Sequence, residues 1–407
     1  MRLAALGIVV VGSFVPLWTQ APDDANFREL YDTNRWFELR NAIDGKTAPA
    51  LYRGAVASAF NRIEEAEKYL RQAVRESPDP HAANEARGLL ALLYVRLGRS
   101  SDAGRLIDDF LRVEPDRSDM RNLRVVFGAF ADRPNQSVPS NQRATFSCPV
   151  GEDGVRLPAS VNGRPVNWLL DTAANTTLVS ESEARTLGLT APGIRGQAGD
   201  LAGGATSSRS VVAARMMIGR TELRNVPMLV VPDGAPWNEL KPGERGAIGL
   251  PVAAALQTIR WTSTGTCSTG PLAGSRKGQP NLAFDALFPL VQVEFESRRL
   301  EFILDTGNQG GTQLWERFAR DFAELVKTSG ARGTERVSQI GGSNEREISI
   351  LPEISLRVGG FDTRLRPAKI FSRPVGDTRR HGNLGMDVLR QASDVTIDFS
   401  SMMLTLR

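Results

Sequence analysis

Val166-Asn167-Trp168-Leu169-Leu170-Asp171-Thr172-Ala173-Ala174 and Leu300-Glu301-Phe302-Ile303-Leu304-Asp305-Thr306-Gly307-Asn308 are two copies of one pattern. Each is an apolar, strand-like run that ends in Asp-Thr-small. The offset between them is 134 residues (305 − 171), and it holds without gaps back to Leu157 and Val291. A second anchor follows in both copies, Ala247-Ile248-Gly249-Leu250 answering to Asn383-Leu384-Gly385-Met386. The Asp-to-Gly spacing is 78 (249 − 171) in the first copy and 80 (385 − 305) in the second. Two anchors at nearly equal spacing make each half a folded unit that has been duplicated. The surrounding texture is β-like, with short runs such as Val155 to Val161, Arg215 to Ile218 and Met228 to Val231 broken by Gly, Pro, Asn and Asp.

From Asn26 to about Phe130 the pattern changes to apolar residues at three- and four-residue spacing, which predicts helices. Gly54, Ala66, Ala73 and Pro78 are each answered 37 positions later by Ala91, Ala103, Phe110 and Pro115 (91 − 54). Small residues let paired helices approach, and each Pro ends the second helix of its pair. This resembles the tetratricopeptide repeat, whose period is about 34, with the extra residues placed around Asp79 to His81. The aromatic-rich stretch Phe27 to Ile43 is expected to add one more helix. Such repeats serve either as a protein-binding face or as a stacked cap.

With 407 residues, 41% hydrophobic and 24% charged, the chain has room for two or three globular domains. Its net charge of +4 is too thinly spread to make nucleic acid the main ligand. Two histidines, His81 and His381, and two cysteines, Cys148 and Cys267, cannot build a zinc cluster of the usual kind, so no metal and no cofactor is expected. At the start, Met1-Arg2, the apolar run Leu3 to Trp18 and the small Ala21 read as an export signal cleaved near Ala21, with an uncleaved anchor as the alternative. No stable membrane insertion is expected after cleavage, and the protein is expected to be periplasmic or secreted. In that setting Cys148 and Cys267 form either one disulfide or two separate buried thiols.

The duplicated Asp-Thr-small and apolar-apolar-Gly anchors resemble those of retropepsin-like and pepsin-like aspartic proteases. Leu169 to Val179 is similar to the retroviral form. Leu384-Gly385-Met386-Asp387-Val388-Leu389 with Val395 to Phe399 is similar to the end of bacterial retropepsin-like domains. The resemblance runs from Thr145 to Arg407. It implies a two-lobed fold and an endopeptidase acting on peptide or protein substrates, with Asp171 and Asp305 as catalytic aspartates sharing one proton. It further implies that Thr172 and Thr306 bond across the two loops, that Ala173 and Gly307 relieve crowding beside the carboxylates, and that Ile248, Gly249, Leu384 and Gly385 support the loops from behind. Each lobe is expected to supply a flap, with Leu201, Gly203, Gly204 and Ile340, Gly341, Gly342 as candidates. Because both motifs lie on one chain, the implied enzyme is a monomer with an internal pseudo-dimer. In this family the strands that open and close a lobe lie together, which would bring Cys148 to Cys267. A catalytically inactive scaffold that binds peptides together with the helical repeats is the alternative function.

The expected organisation is therefore α+β: a signal peptide at 1–21, helical tetratricopeptide-like repeats at 22–130, a linker at 131–144, lobe one at 145–270, a linker at 271–284 and lobe two at 285–407.

Overall fold

Residues with left-handed backbone set the helical half. The computed structural model describes residues 22–128, 130, 132–152, 154–189, 195–199, 205–272, 278–339, 342–371 and 379–407, and the expected signal peptide at 1–21 lies outside them. The stretch Phe27 to Ile43, expected as one helix, forms two, α1 (Pro22–Asp32) and α2 (Trp36–Ile43). Asn34 breaks them with φ at 53°. Asn61 (φ 56°) turns the chain between α3 (Ala50–Ala59) and α4 (Ile63–Glu76), and Gly98 (φ 69°) does so between α5 (Pro80–Arg96) and α6 (Ser100–Val113). These turns recur at the repeat period of 37 (98 − 61), and Asn and Gly adopt that backbone at the least cost. Pro78 and Pro115 each lie just past the end of α4 and α6. Ala66, Ala91, Ala103 and Phe110 are buried where the helices meet. Asp79 caps α5 by accepting from His81 N at 3.0 Å and Ala82 N at 3.4 Å, at the place where the period is lengthened. The helical region closes with α7 (Ser118–Gly128). No described helix is long and apolar enough to cross a membrane.

Among the described residues two large sheets follow, one of nine strands and one of ten, with a five-stranded sheet that takes strands from both β units. The five-stranded sheet takes Ala144–Ser147, Thr258–Thr262 and Thr266–Thr269 from the first β unit. It takes Asp394–Asp398 and Met403–Leu406 from the end of the chain. Trp261 lies opposite Val395 across the antiparallel seam. The lobes therefore share a hydrogen-bonded sheet, and their relative placement is fixed by a ladder rather than by loose surface contact.

Both stretches expected as linkers carry structure. Within 131–144, Ser137–Ser140 is a strand paired with Thr221–Val231 at the edge of the nine-stranded sheet, where Pro139 is tolerated. Within 271–284, Leu282, Ala283 and Phe284 are buried in a strand paired with Phe288–Phe295. Pro and Gly near these segments mark turns, but the apolar residues between them find a sheet to bury against.

The helical region is bolted to lobe two through buried charge. Asp285 accepts from Asn34 Nδ2 at 2.8 Å and Trp36 Nε1 at 3.1 Å, and it pairs with Arg380, whose other amino group pairs with Glu301. Burial works against the charge on Asp285, yet Arg380 and Arg379 hold its carboxyl below the usual carboxylate range. Arg96 of α5 donates to Ser58 O and Ala286 O and stacks on Phe284 at 4.1 Å.

Cys148 and Cys267 are joined in a disulfide with Cα atoms 5.6 Å apart, beside the Cys148 N to Gly265 O hydrogen bond at 2.9 Å. The bond ties the entry of lobe one to its exit across a separation of 119 residues. On the chain-entropy model, closing a loop of that length stabilises the fold by up to ~4–5 kcal/mol. A Cys148→Ser/Cys267→Ser double variant is expected to unfold at distinctly lower temperature and denaturant concentration than the oxidised protein. Identical unfolding curves would contradict a structural role for the bond.

Candidate active site

Arg164–Leu170 runs parallel to Gly246–Ile248, with Leu170 opposite Ile248. Arg298–Leu304 runs parallel to Gly382–Leu384 with Leu304 opposite Leu384. Each aspartate follows the last residue of its strand, so a largely buried parallel pairing fixes where its loop begins. Asp171 N donates to Ile248 O, and Asp305 N donates to Leu384 O, both at 3.0 Å. The next bonds repeat as well: Leu250 N to Ala174 O at 2.8 Å and Met386 N to Asn308 O at 3.1 Å. Gly249 N donates to Thr177 Oγ1 and Gly385 N to Thr312 Oγ1. A side chain at Gly249 would sit 2.5 Å from Thr176 backbone, so close approach demands glycine there. Ile248, Gly249, Leu384 and Gly385 thus lie behind the two loops.

The loops lock onto each other through their threonines. Thr172 Oγ1 donates to Leu304 O at 2.6 Å, and Thr306 Oγ1 donates to Leu170 O at 2.7 Å. In return, each hydroxyl accepts from the other loop, from Thr306 N and from Thr172 N, both at 3.1 Å. Both threonines are fully buried, and all four bonds cross between lobes. With donor and acceptor satisfied on each hydroxyl, the two loops have one arrangement.

That lock brings the carboxyls together. The Asp171 carboxyl lies against Gly307, where an added Cβ would stand 2.4 Å from Asp171 Cγ. Glycine at 307 is therefore a space requirement. Ala173 has no left-handed backbone to maintain, and its N–H donates to Asp171 Oδ1 at 3.1 Å, joined by Ala174 N at 3.0 Å. On the other side, Gly307 N donates to Asp305 Oδ1 at 2.9 Å. Asn308 turns its amide to Gly311 O at 2.8 Å.

Asp305 is 8% exposed, while Asp171 keeps a partial opening to solvent. Burial, and after it the charge of Asp305, pushes Asp171 up to about 7, against the two backbone N–H bonds. Burial also raises Asp305, opposed first by a bond from Asn383 Nδ2 to Asp305 Oδ2 at 2.8 Å and then by the N–H groups of Gly307 and Asn308. Two neighbouring carboxyls whose ionisation is disfavoured in this way can carry one proton between them near neutral pH.

In the sequence Asn383 is marked only as the first residue of the repeated Gly anchor. Its signal was a polar residue where the first copy has Ala247, in a strand otherwise apolar. Of the flap candidates, Leu201, Gly203, Gly204, Ile340 and Gly341 lie outside the described residues. Gly342 opens the strand Gly342–Leu351, paired with Ala331–Gln339 through Gln339. A cavity of about 970 Å³ lies elsewhere, between α2 to α4 and lobe two, with Arg40, Arg62, Tyr69, Glu301 and His381 in its wall and neither aspartate.

Comparison with known proteins follows the same division. Residues 157–252 match the model of the aspartyl protease family, and residues 57–125 match the model of the tetratricopeptide repeat. A retropepsin-like aspartic protease from Rickettsia conorii, known as a crystal structure, is 16% identical, covering 33% of this chain and 97% of its own at a TM-score of 0.23. The retroviral protease-like domain of Ddi1 from Leishmania major, also a crystal structure, is 16% identical, covering 26% of this chain and 78% of its own at a TM-score of 0.18. No curated protein matches the chain. At the level of family, residues 157–252 are similar to the aspartyl proteases, and they follow a segment, residues 57–125, similar to the tetratricopeptide repeat.

Proposed function

We propose that this protein is an exported aspartic endopeptidase in which Asp171 and Asp305 of one chain share a proton and activate water against a peptide bond. The observation that carries the reading is the reciprocal pair of Thr172 and Thr306 bonds, which holds the two aspartate loops against each other. A turn aspartate with a purely local role needs no such cross-lobe lock. One carboxylate takes a proton from water as its oxygen attacks the scissile carbonyl, and the other carboxyl donates to the carbonyl oxygen. As the tetrahedral species collapses and the C–N bond breaks, the pair gives one proton to the leaving nitrogen and regains one from a hydroxyl of the new carboxylic acid, so it again carries one.

Several features support the rest of the reading. Both aspartates come from one chain, which supports a functional monomer. The apolar run Leu3 to Trp18 and the Cys148–Cys267 disulfide support a site of action in an oxidising compartment, periplasmic or extracellular. The tetratricopeptide region supports a protein partner or a substrate delivered as a polypeptide.

Asp171→Asn and Asp305→Asn are each expected to lower cleavage of a peptide library by on the order of 10²–10⁴-fold while leaving the unfolding temperature close to wild type. Retained cleavage in either variant, or no cleavage by the wild type at any pH, would overturn the reading in favour of a binding scaffold.

The pH dependence follows from the directions of the two shifts. The productive state carries one proton on the pair, so the rate falls as pH rises through about 7, where Asp171 loses its proton, and falls again in acid as Asp305 gains one. A bell-shaped profile of kcat/KM with its alkaline limb near neutrality is expected. A rate that climbs to a plateau above neutral pH would contradict the shared proton.

A further inference from the structure

The two aspartate loops share their main backbone and threonine bonds, and one buried side chain sets the two carboxyls apart. Asp171 and Asp305 each begin from a strand carbonyl at equal distance, and each receives backbone N–H groups from the residues that follow. The difference lies on the strand behind. Asn383 stands opposite Ile303, as Ala247 stands opposite Leu169. Ala247 packs with Leu178, Leu229, Val231 and Trp237 and has no polar group to offer Asp171. Asn383, 5% exposed, gives its Nδ2 to Asp305 Oδ2 at 2.8 Å.

The far end of that amide leaves its orientation open. Asn383 Oδ1 is buried with no hydrogen-bond partner among the described residues, so nothing there favours one way round over the other. Reversed, the amide would aim Oδ1 at the Asp305 carboxyl, which is acceptable only if Asp305 carries the proton. A donor facing a carboxylate makes a charge-assisted bond, stronger than the neutral alternative. The amide and the ionised form of Asp305 therefore select each other.

We propose that Asn383 is the positioning residue that gives the pair its polarity, holding Asp305 as the ionised partner and leaving the shared proton on Asp171. The inference rests on the peptidase reading for its consequence in catalysis. Asp305 takes the proton of the attacking water while the water oxygen bonds to the carbonyl carbon. The carbonyl oxygen takes the proton of Asp171. As the C–N bond breaks, Asp305 passes its proton to the leaving nitrogen and Asp171 regains one from the departing carboxylic acid hydroxyl, so the pair ends as it began.

Other charged groups near Asp305 do not supply this bias. Asp171 is the charged group across the dyad and acts equally in both directions. Asp387, on the helix Met386–Leu389, is turned to Thr312 N and Oγ1 at 2.8 and 2.7 Å. His381, just before the Gly382–Leu384 strand, accepts from Glu301 N through Nδ1 at 3.1 Å and faces Asp321 at 3.3 Å through Nε2, so both ring nitrogens are engaged by groups other than Asp305.

The test follows the carboxyl carbons of selectively labelled aspartates by NMR, assigned through Asp171→Asn and Asp305→Asn, in the full-length protein and in Asn383→Leu, a near-isosteric apolar change. In the wild type Asp305 is expected to ionise at lower pH than Asp171. In Asn383→Leu the Asp305 step is expected to move up by about 1–2 pH units, and the acid limb of kcat/KM with it. Asn383→Ala provides the same reading should the leucine variant fail to fold. An unmoved Asp305 step in a folded variant, or ionisation of Asp171 first in the wild type, would overturn the inference. Absence of cleavage with the expected carboxyl titration would sink the peptidase reading alone.

Discussion

The structure depends on a reciprocal exchange between two hydroxyls. Thr172 and Thr306 each donate to a carbonyl at the end of the opposite lobe's strand and each accept from the other's backbone. Four bonds in a fully buried place leave no unsatisfied group and no second register. Everything chemical is downstream of this: two acidic side chains are kept where neither would choose to be ionised beside the other, and Gly307 yields the space for the contact. Burial and the charge of Asp305 raise Asp171, and burial raises Asp305, so ionising both at once is disfavoured.

The same economy of constraint runs through the lobes. Each loop leaves its strand only after a parallel pairing has set the register, and a glycine behind it allows the close backbone approach. The five-stranded seam, with strands from both units, prevents the loops from drifting apart, and the Cys148–Cys267 bond closes one side of that seam. The helical repeats reach the same framework from outside. Glu301 and Arg380 lie on or beside the strands that carry Asp305 and Asn383, and they are tied through Asp285 to Asn34 and Trp36.

Much of this was legible because duplication writes a signal twice. Asp-Thr-small after an apolar run means little once, but with the Gly anchor repeated at nearly equal spacing it specifies a strand, a loop and a support. The helical repeat was readable for the same reason, Ala66 and Ala103, like Pro78 and Pro115, falling one period apart. What escaped was whatever occurs once or joins distant parts. Asn383 differs from its counterpart by a single polar atom group, and its meaning exists only beside Asp305, 78 residues away. The Asp285, Arg380 and Glu301 cluster is likewise long-range, with Arg380 separated by 95 and 79 residues from its partners. Local composition misled at Ser137–Ser140 and Leu282 to Phe284, where turn-rich flanks hid short strands that only a neighbouring sheet stabilises.

The central claim is that one chain holds a complete pair of working aspartates. Mixing tests it most directly: the wild type, Asp171→Asn, Asp305→Asn and an equimolar mixture of the two variants are assayed on the same peptide library. Cleavage by the wild type is expected, and none above the single-variant level from the mixture, because each chain closes its own loop pair. Recovery of activity in the mixture, or variants that cleave as the wild type does, would contradict it.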